Sequence, residues 1–244
     1  MQLQFMGSGD AFGSGGRFNT CMRLIRDGGD ILIDCGATSM VALRQQGVDP
    51  NQIDTIVISH LHGDHFGGLP FFILDAQFYS KRTAPLTLIG PPGLEQRLTD
   101  AMEIFFAGSS TAKRKFAITV HELTPGEAIR MTGGSVMGLE VRHACGAPPL
   151  GLRLTIDDRT IAYSGDTEWT DSLLDLSRNA DIFVVEALFF DRSVPQHLDY
   201  ATFRSHADRC SAKRVVLTHF GPDMLAHLSE AEHEVAADGK LFEV

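Results

Sequence analysis

Short apolar segments, most of them rich in β-branched residues, recur from one end of the chain to the other. Turn residues flank these segments and each is short, which is typical of strands rather than helices. We predict strands over residues 3–6, 31–34, 53–59, 86–89, 116–120, 136–141, 150–156, 160–164, 182–185 and 214–218.

Between some of these segments, apolar residues recur at helical spacing. The pattern predicts helices over 36–46, 67–79, 93–107, 169–178, 200–210 and 222–236. Strands outnumber helices, and the middle of the chain is almost wholly strand and turn. This order predicts an α/β protein in which two sheets pack face to face with helices outside, a four-layer αββα sandwich. No linker rich in Pro, Gly or Ser interrupts the pattern, so we expect residues 1–244 to form a single domain.

Composition narrows the classes of protein that remain. The chain has 244 residues, of which 43% are hydrophobic and 21% charged. Such a chain can bury a core, which excludes intrinsic disorder, collagen and coiled coil. The formal net charge is −10, which argues against broad adhesion to nucleic acid or to an anionic membrane. A local anion site, especially one built on metal ions, stays compatible with this charge.

The first residues, the apolar windows and the cysteines do not show the features of a secreted or membrane protein. The first residues lack the basic stretch and apolar run of a signal peptide, and no apolar window reaches the ~18 residues of a membrane span. We therefore expect a cytoplasmic protein with no membrane partner. The four cysteines contain no CxxC pair, so we expect reduced thiols rather than a disulfide framework.

A histidine-rich loop follows the predicted strand 53–59. It places His60, His62, Asp64 and His65 within six residues. His60 and His62 are two apart in an extended turn and can point to the same side, which suits one metal ion. Asp64 and His65 follow in the next turn and suit a second ion. The alternative, a polar loop that is rich in histidine by accident, explains this spacing poorly.

Two metal ions need more ligands than this loop supplies. His143, Asp166 and His219 each lie just beyond a predicted strand. Ligand sites of open α/β sheets lie along the carboxyl ends of the strands, so distant residues can converge there. Taken alone, each of these three residues is more typical of a capping aspartate or a hydrogen-bonded histidine. Together with the histidine loop, they predict a shared metal site.

These motifs carry a resemblance to a known group of proteins. The HLHGDH loop, His143, the SGDT turn at Asp166 and the LTHFG segment at His219 resemble, in this order, the metallo-β-lactamase superfamily over nearly the whole chain. Within it, the opening MGSGDA with Arg17, Phe18 and Asn19, and the segment IGPPG at 89–93, are similar to the ribonuclease Z-like branch.

The resemblance implies the metallo-β-lactamase αββα fold and a site for two divalent metal ions. Zinc is the usual metal, with Mn²⁺ or Fe²⁺ as alternatives. By position, the ligands implied for the first ion are His60, His62 and His143, and for the second ion Asp64, His65 and His219. Asp166 would bridge the two ions.

A two-metal site of this kind predicts hydrolysis without a protein nucleophile. Two cations ~3.5–4 Å apart lower the pKa of a shared water, and the resulting bridging hydroxide can attack a phosphodiester. Asp64 is a candidate catalytic residue, because it can hold this hydroxide while it ligates a metal ion. The seven ligands include two carboxylates against two dications, so the site stays positive and suits an anionic substrate.

The leaving alkoxide needs a proton, and Glu186 and His197 are the candidate catalytic residues for supplying it. The ribonuclease Z-like branch has a glutamate and a later histidine that form a proton-donating pair. Glu186 and Ala187 match its His-Glu-Ala-Thr motif, whereas Val185 and Leu188 depart from it. The alternatives are a buried glutamate tied to the ligands and a surface-loop histidine.

The sequence thus favours a phosphodiesterase of the ribonuclease Z type, acting on an anionic small molecule or a short single-stranded phosphodiester. Folded transfer RNA is not expected as a substrate, because the basic, glycine-rich arm of that branch has no counterpart here. The alternatives are a thioester, lactone or sulfate-ester hydrolase on the same ligands, or a non-catalytic binding protein. A homodimer is left open.

Overall fold

In the computed structural model, which describes residues 1–244, the strands form two seven-stranded sheets. The first sheet has the order β14-β1-β2-β3-β4-β5-β6 and the second β13-β12-β11-β10-β9-β8-β7. The strands of the first sheet are β1 (Gln2–Gly7), β2 (Cys21–Ile25), β3 (Asp30–Ile33), β4 (Ile53–Val57), β5 (Leu86–Gly90), β6 (Ile118–Glu122) and β14 (Leu241–Glu243). Those of the second are β7 (Ala128–Met131), β8 (Gly134–Glu140), β9 (Leu150–Ile156), β10 (Arg159–Tyr163), β11 (Ile182–Glu186), β12 (Val215–Thr218) and β13 (Glu234–Val235).

Seven helices connect and cover the sheets. They are α1 (Ser39–Gln45), α2 (Gly63–Phe66), α3 (Leu69–Phe78), α4 (Leu94–Phe105), α5 (Ser172–Ser177), α6 (Tyr200–His206) and α7 (Pro222–Ala226). None of them has the length and apolar character that a bilayer-spanning helix needs.

Apolar side chains alternate along the strands between two buried clusters. On β4, Val57 belongs to a cluster of 35 buried residues that also contains residues of the second sheet, such as Leu152 and Val184. Ile56 belongs instead to a cluster of 23 buried residues shared with α3 and α4. A strand buried on both faces must be apolar on both, which is why the chain reads as continuous apolar runs there. The four-layer αββα arrangement is confirmed.

The topology collects the carboxyl ends of several strands at one edge. Strands β3 to β6 run parallel in the first sheet, and β10 to β13 run parallel in the second. At this edge the two sheets are hydrogen-bonded to each other, since Leu150 N–H donates to the Ser59 carbonyl over 3.0 Å. Residues that follow these strands are therefore neighbours, although they are far apart in sequence.

Several predicted elements differ from the observed ones. Strands β2, β7, β13 and β14 were not predicted, and the helix predicted over 222–236 ends at Ala226. The predicted start of a helix at 67 also misses α2, which places Asp64 and His65 inside a short helix. Strand β13 has only two residues, paired with Val216 and Leu217, so its extended state depends on the tertiary contact. Strand β2 contains Arg23, whose guanidinium is paired with Asp30 of β3 and interrupts the apolar pattern.

Candidate metal centre

The histidine loop forms the connection between β4 and α2. His62 has an extended backbone and directly precedes the helix, in which Asp64 and His65 occupy the first turn. Gly67 ends this helix, and a Cβ there would lie 2.4 Å from the Gly63 carbonyl oxygen. Only glycine allows so tight a turn. The turn keeps all four candidate ligands at the edge where the two sheets meet.

The first group of candidate ligands is His60, His62 and His143, whose ligand nitrogens all lie within 4.8 Å of one another. His143 lies beyond β8, on the second sheet, and its Nε2 is 2.9 Å from His62 Nδ1. Its Nδ1–H donates to the Gln196 carbonyl over 2.8 Å. That bond fixes the tautomer, so the lone pair of Nε2 faces the group.

The second group is Asp64, His65, Asp166 and His219, with ligand atoms also within 4.8 Å of one another. His65 Nε2 lies 3.3 Å from both Asp64 Oδ2 and Asp166 Oδ1, and His219 Nε2 lies 3.4 Å from Asp166 Oδ2. Asp166 Oδ2 is also 3.9 Å from His60 Nε2 and 4.0 Å from His143 Nε2. Asp166 therefore lies between the two groups.

Hydrogen bonds outside the site orient three of these imidazoles. His65 Nδ1 contacts Asp34 Oδ2 at 2.7 Å, His60 Nδ1 contacts Ser59 Oγ at 3.1 Å, and His219 Nδ1 contacts Thr20 Oγ1 at 3.0 Å. Each bond leaves Nε2 turned toward the ligand groups. Asp34 and Thr20 were missed by the sequence reasoning. Asp34 had one available signal, a carboxylate directly after the apolar run of β3.

The donor set fits divalent cations. His60 Nε2, His65 Nε2 and Asp166 Oδ1 are all buried and have no hydrogen-bond partner. Orphaned buried polar atoms are costly unless something pairs with them. Imidazole nitrogen and carboxylate oxygen are ligands that suit Zn²⁺ and related first-row ions. A divalent cation in each group would satisfy these atoms.

The protonation states agree with this role. Burial lowers the pKa of His60 well below its ordinary value, and burial likewise lowers the pKa of His143. Burial raises the pKa of Asp166, but the neighbouring His219 and His65 outweigh it and hold the pKa well below the ordinary range. Neutral imidazole and ionised carboxylate are the forms that bind metal.

The pKa of His65 reflects the negative charge of the carboxylates around it. Burial lowers its pKa, but the carboxylates of Asp166, Asp64 and Asp34 together raise that pKa well above the ordinary value. The same carboxylates that favour a proton on His65 favour a cation in its place. The second group therefore has the charge that a metal ion requires.

Glu186 and His197 lie beside the ligand groups. Glu186 is fully buried at the end of β11, and its Oε2 accepts the Thr167 N–H over 2.7 Å. His197 Nδ1–H donates to Glu186 Oε1, and Nδ1 is 3.9 Å from Asp166 Oδ2. The His197 side chain is 25% exposed, so it is open to solvent and yet paired, unlike a surface-loop histidine.

The pair has shifted protonation equilibria. Burial raises the pKa of Glu186, as does the nearby Asp166, while the hydrogen bond from His197 opposes the rise. Burial lowers the pKa of His197, but the hydrogen bond and charge of Glu186 outweigh this and raise the pKa to about 9. The contact with Glu186 therefore favours the protonated form of His197.

Every candidate site residue from the sequence is brought to this one edge. The two ligand groups have the memberships that the resemblance implied, with Asp166 between them, and the Glu186–His197 pair adjoins them. Gln196, which accepts the hydrogen bond from His143, was missed because nothing in its sequence context marks it.

Comparisons with known proteins give the same picture. A Ribonuclease Z from Bacillus thuringiensis is 26% identical over 311 aligned positions, which cover 100% of this chain and 99% of that protein. The solved structure of human tRNase Z, short form, is 26% identical with a TM-score of 0.81 and covers 100% of this chain and 99% of its own. The metallo-β-lactamase fold protein YhfI from Bacillus subtilis has a TM-score of 0.77 at 20% identity, with coverage of 100% and 99%.

The fold, the His and Asp groups and these likenesses define a hydrolase of the metallo-β-lactamase superfamily, in its ribonuclease Z-like branch. A family model narrows the assignment of this chain within that class. The chain belongs to the family described as Anti-Pycsar protein Apyc1, whose model matches residues 1–241. The resemblance to the ribonuclease Z-like branch that the sequence motifs indicated is confirmed.

Proposed function

We propose that this protein is a metal-dependent phosphodiesterase. The observation that carries the proposal is the position of His197, which is hydrogen-bonded to buried Glu186 and whose Nδ1 lies 3.9 Å from the carboxylate between the two ligand groups. A proton donor beside a metal centre is what hydrolysis of an ester with a poor alkoxide leaving group requires. The relatives named Ribonuclease Z support the same reaction class.

The proposed metal content is two divalent ions, with zinc first and Mn²⁺ or Fe²⁺ as alternatives. His60, His62 and His143 would hold one ion, Asp64, His65 and His219 the other, and Asp166 both. When bound, such ions supply a water of lowered pKa for the attack and neutralise charge on the phosphoryl oxygens. The three orphaned atoms on His60, His65 and Asp166 support this assignment.

The protein's own residues have distinct proposed roles. Asp64 would accept a hydrogen bond from the attacking water as well as ligate metal. Glu186 orients His197 by accepting its Nδ1–H, which leaves Nε2–H as the proton that His197 donates to the leaving oxygen. Glu186 is itself held by the Thr167 and Leu198 N–H groups, at 2.7 and 3.3 Å. This arrangement fixes the imidazole in its donating orientation.

The same pair argues against thioesters as the main substrates. A thiolate leaves without protonation, so an enzyme for thioesters gains little from a positioned acid. Lactone and sulfate-ester hydrolysis become outcomes of the test below. A non-catalytic binding protein would need neither a proton donor nor a complete ligand set.

The proposed substrate is an anionic small molecule or a short single-stranded phosphodiester. The alignment with the Bacillus thuringiensis protein spans 311 positions whereas this chain has 244 residues, so that relative has segments that this chain lacks. We also propose that residues 1–244 act as a single domain, because both sheets contribute ligands and share one buried cluster.

A hydrolysis panel tests the proposal. The purified protein is stripped with a chelator, reloaded with Zn²⁺ or Mn²⁺, and assayed on a nitrophenyl phosphodiester, a nitrophenyl phosphomonoester, a thioester, a lactone and a sulfate ester. We expect metal-dependent turnover that is highest with the diester. Higher turnover of any other class, or diester turnover that survives chelation, would contradict the proposal.

A further inference from the structure

The turn before His197 has an unusual residue at its tightest position. Val194 and His197 form a bridge that closes the turn, with Pro195 and Gln196 between them. Gln196 has φ of 74°. A turn with proline second and a positive φ third is of type II, and its third position favours glycine or asparagine. Glutamine there is strained, so a compensating interaction is expected.

Three hydrogen bonds provide that interaction. The Gln196 carbonyl accepts the His143 Nδ1–H over 2.8 Å. Its side-chain Oε1 accepts the Ala144 N–H over 2.6 Å. Its own N–H donates to Glu168 Oε1 over 2.7 Å. Gln196 thus holds His143 from both sides, through the imidazole and through the next peptide.

These hydrogen bonds join two other segments of the site to the turn that contains Gln196. His143 is a candidate ligand of the first group, and Glu168 lies two residues beyond Asp166, which lies between the groups. Gln196 also directly precedes His197, the proposed proton donor. One strained residue therefore joins the segment that carries His143, the segment that carries Asp166 and the turn that carries His197.

We propose that Gln196 is a positioning residue. It orients the His143 imidazole for metal binding and fixes the position of His197 relative to His143. The part that concerns His197 rests on the proposed function, whereas the part that concerns His143 does not. A positive-φ glutamine is then explained by its side chain: glycine would relieve the strain, but only a side chain of this length reaches the Ala144 N–H.

Substitution by glycine separates positioning from simple turn formation. Gln196→Gly relieves the left-handed strain and removes the bond to Ala144, so we expect the melting temperature to stay within about 4 °C of the parent. We expect the affinity for Zn²⁺, measured by competition with a chromophoric chelator, to fall roughly tenfold or more. If Gln196 only formed the turn, glycine would preserve both quantities.

Two further variants are matched controls. Lys81→Gly changes an exposed residue that also has a positive φ, 53°, and should leave Zn²⁺ affinity unchanged. Gln196→Glu keeps the length and the acceptor oxygen, so its Zn²⁺ affinity should remain within about threefold of the parent. If Gln196→Gly fails to fold, Gln196→Asn replaces it, since asparagine tolerates this backbone but its shorter side chain cannot reach Ala144.

Activity adds a readout for His197. In Gln196→Gly, turnover of thymidylyl-thymidine, which has a sugar alkoxide leaving group, should fall more than turnover of a nitrophenyl diester. Unchanged Zn²⁺ affinity in Gln196→Gly, or an equal loss of affinity in Gln196→Glu, would overturn the proposal for His143. If Gln196→Gly lost turnover of the two diesters equally, the proposed effect of Gln196 on His197 would be overturned. If the parent protein hydrolyses no diester, the proposed function fails while the Zn²⁺ titration still decides the role at His143.

Discussion

At the scale of single residues, the chemistry depends on how a buried carboxylate controls its histidine partner. Glu186 is fully buried and accepts from two backbone N–H groups as well as from His197. The interaction raises the pKa of His197 to about 9. A general acid must be protonated to act, and a raised pKa extends the pH range in which His197 meets that requirement.

The first prediction is an alkaline limb in the pH profile. With the metal-saturated protein and an alkoxide leaving group, turnover should decline as pH rises through about 9, because His197 loses its proton there. Glu186→Gln removes the charge that raises this pKa, so the limb should move toward ~6.5, the ordinary value for histidine. A nitrophenyl diester should show no such limb. A limb at the same pH in Glu186→Gln would show that another group is titrating.

Asp166 gives the second prediction. Its Oδ atoms lie within 4.0 Å of nitrogens from both ligand groups. Asp166→Ala should therefore weaken the binding of both metal ions rather than of one. Elemental analysis should find two metal ions per loaded parent chain and fewer than one in the variant after dialysis. Loss of a single ion from Asp166→Ala would mean that Asp166 does not bridge.

Sequence alone could identify the residues that are clustered or that follow apolar strands. His60, His62, Asp64 and His65 are neighbours in the chain, and Asp166, Glu186 and His219 follow recognisable strands. Thr20 could not be found, because its contact with His219 joins residues 199 positions apart. Gln196 acts partly through its backbone carbonyl, which no sequence pattern reveals.

At the scale of elements, Asp34 connects three of them. It follows β3, accepts the N–H and O–H of Ser59 beyond β4 over 2.7 and 2.8 Å, and contacts His65 Nδ1 of α2 at 2.7 Å. All of these groups are buried. Asp34 therefore determines both the local packing and the direction in which His65 presents its Nε2.

Asp34→Asn should affect stability and metal binding together. The amide can satisfy only part of three buried donors, and each unsatisfied donor costs about 1–3 kcal/mol, so the free energy of unfolding should fall by a similar amount. Zn²⁺ affinity should fall ~10–100-fold because the orientation of His65 is lost. Chemical denaturation and a chelator titration measure the two effects.

Asp181→Asn is the matched control for this prediction. Asp181 precedes β11 at the opposite end of the strands, and it accepts the Thr160 N–H over 2.8 Å and pairs with Lys213. Its substitution should lower stability and leave Zn²⁺ affinity unchanged. Asp34→Asn with parental Zn²⁺ affinity would show that Asp34 supports the fold only.

The long, apolar elements were predictable, and the strands that were not, apart from the interior strand β2, lie at the sheet ends. Strands β11 and β12 are almost wholly buried, and their apolar runs mark them. Strands β13 and β14 have two and three residues, and they are extended only because β12 and β1 pair with them. Helix α2 has four residues, too few for a helical periodicity to be visible.

At the scale of the whole molecule, the net charge opposes the binding of large nucleic acids. The formal charge is −10, and the one dense basic run, Lys113–Lys115, is partly occupied by internal contacts. Arg114 donates to the Ser109 carbonyl over 2.6 Å, so its charge faces the protein. Affinity for RNA depends mainly on Lys and Arg that neutralise phosphates, and here 31 acidic residues outnumber the 21 basic ones.

We therefore expect small or single-stranded phosphodiesters to be better substrates than folded transfer RNA. The comparison is made by measuring kcat/KM for thymidylyl-thymidine and for a precursor transfer RNA at near-physiological salt. The value for the dinucleotide should be the larger. Efficient and accurate trimming of the precursor 3′ end would show that this surface binds RNA despite its charge.

The most direct test of the account is the effect of the leaving group on turnover in the parent protein and in His197→Ala. General-acid help is typically worth ~10²–10⁴-fold, and a nitrophenolate leaving group needs little of it. We expect His197→Ala to lose turnover of thymidylyl-thymidine by roughly that factor, while turnover of a nitrophenyl diester changes about tenfold or less. Equal losses on the two substrates, with metal content unchanged, would contradict it.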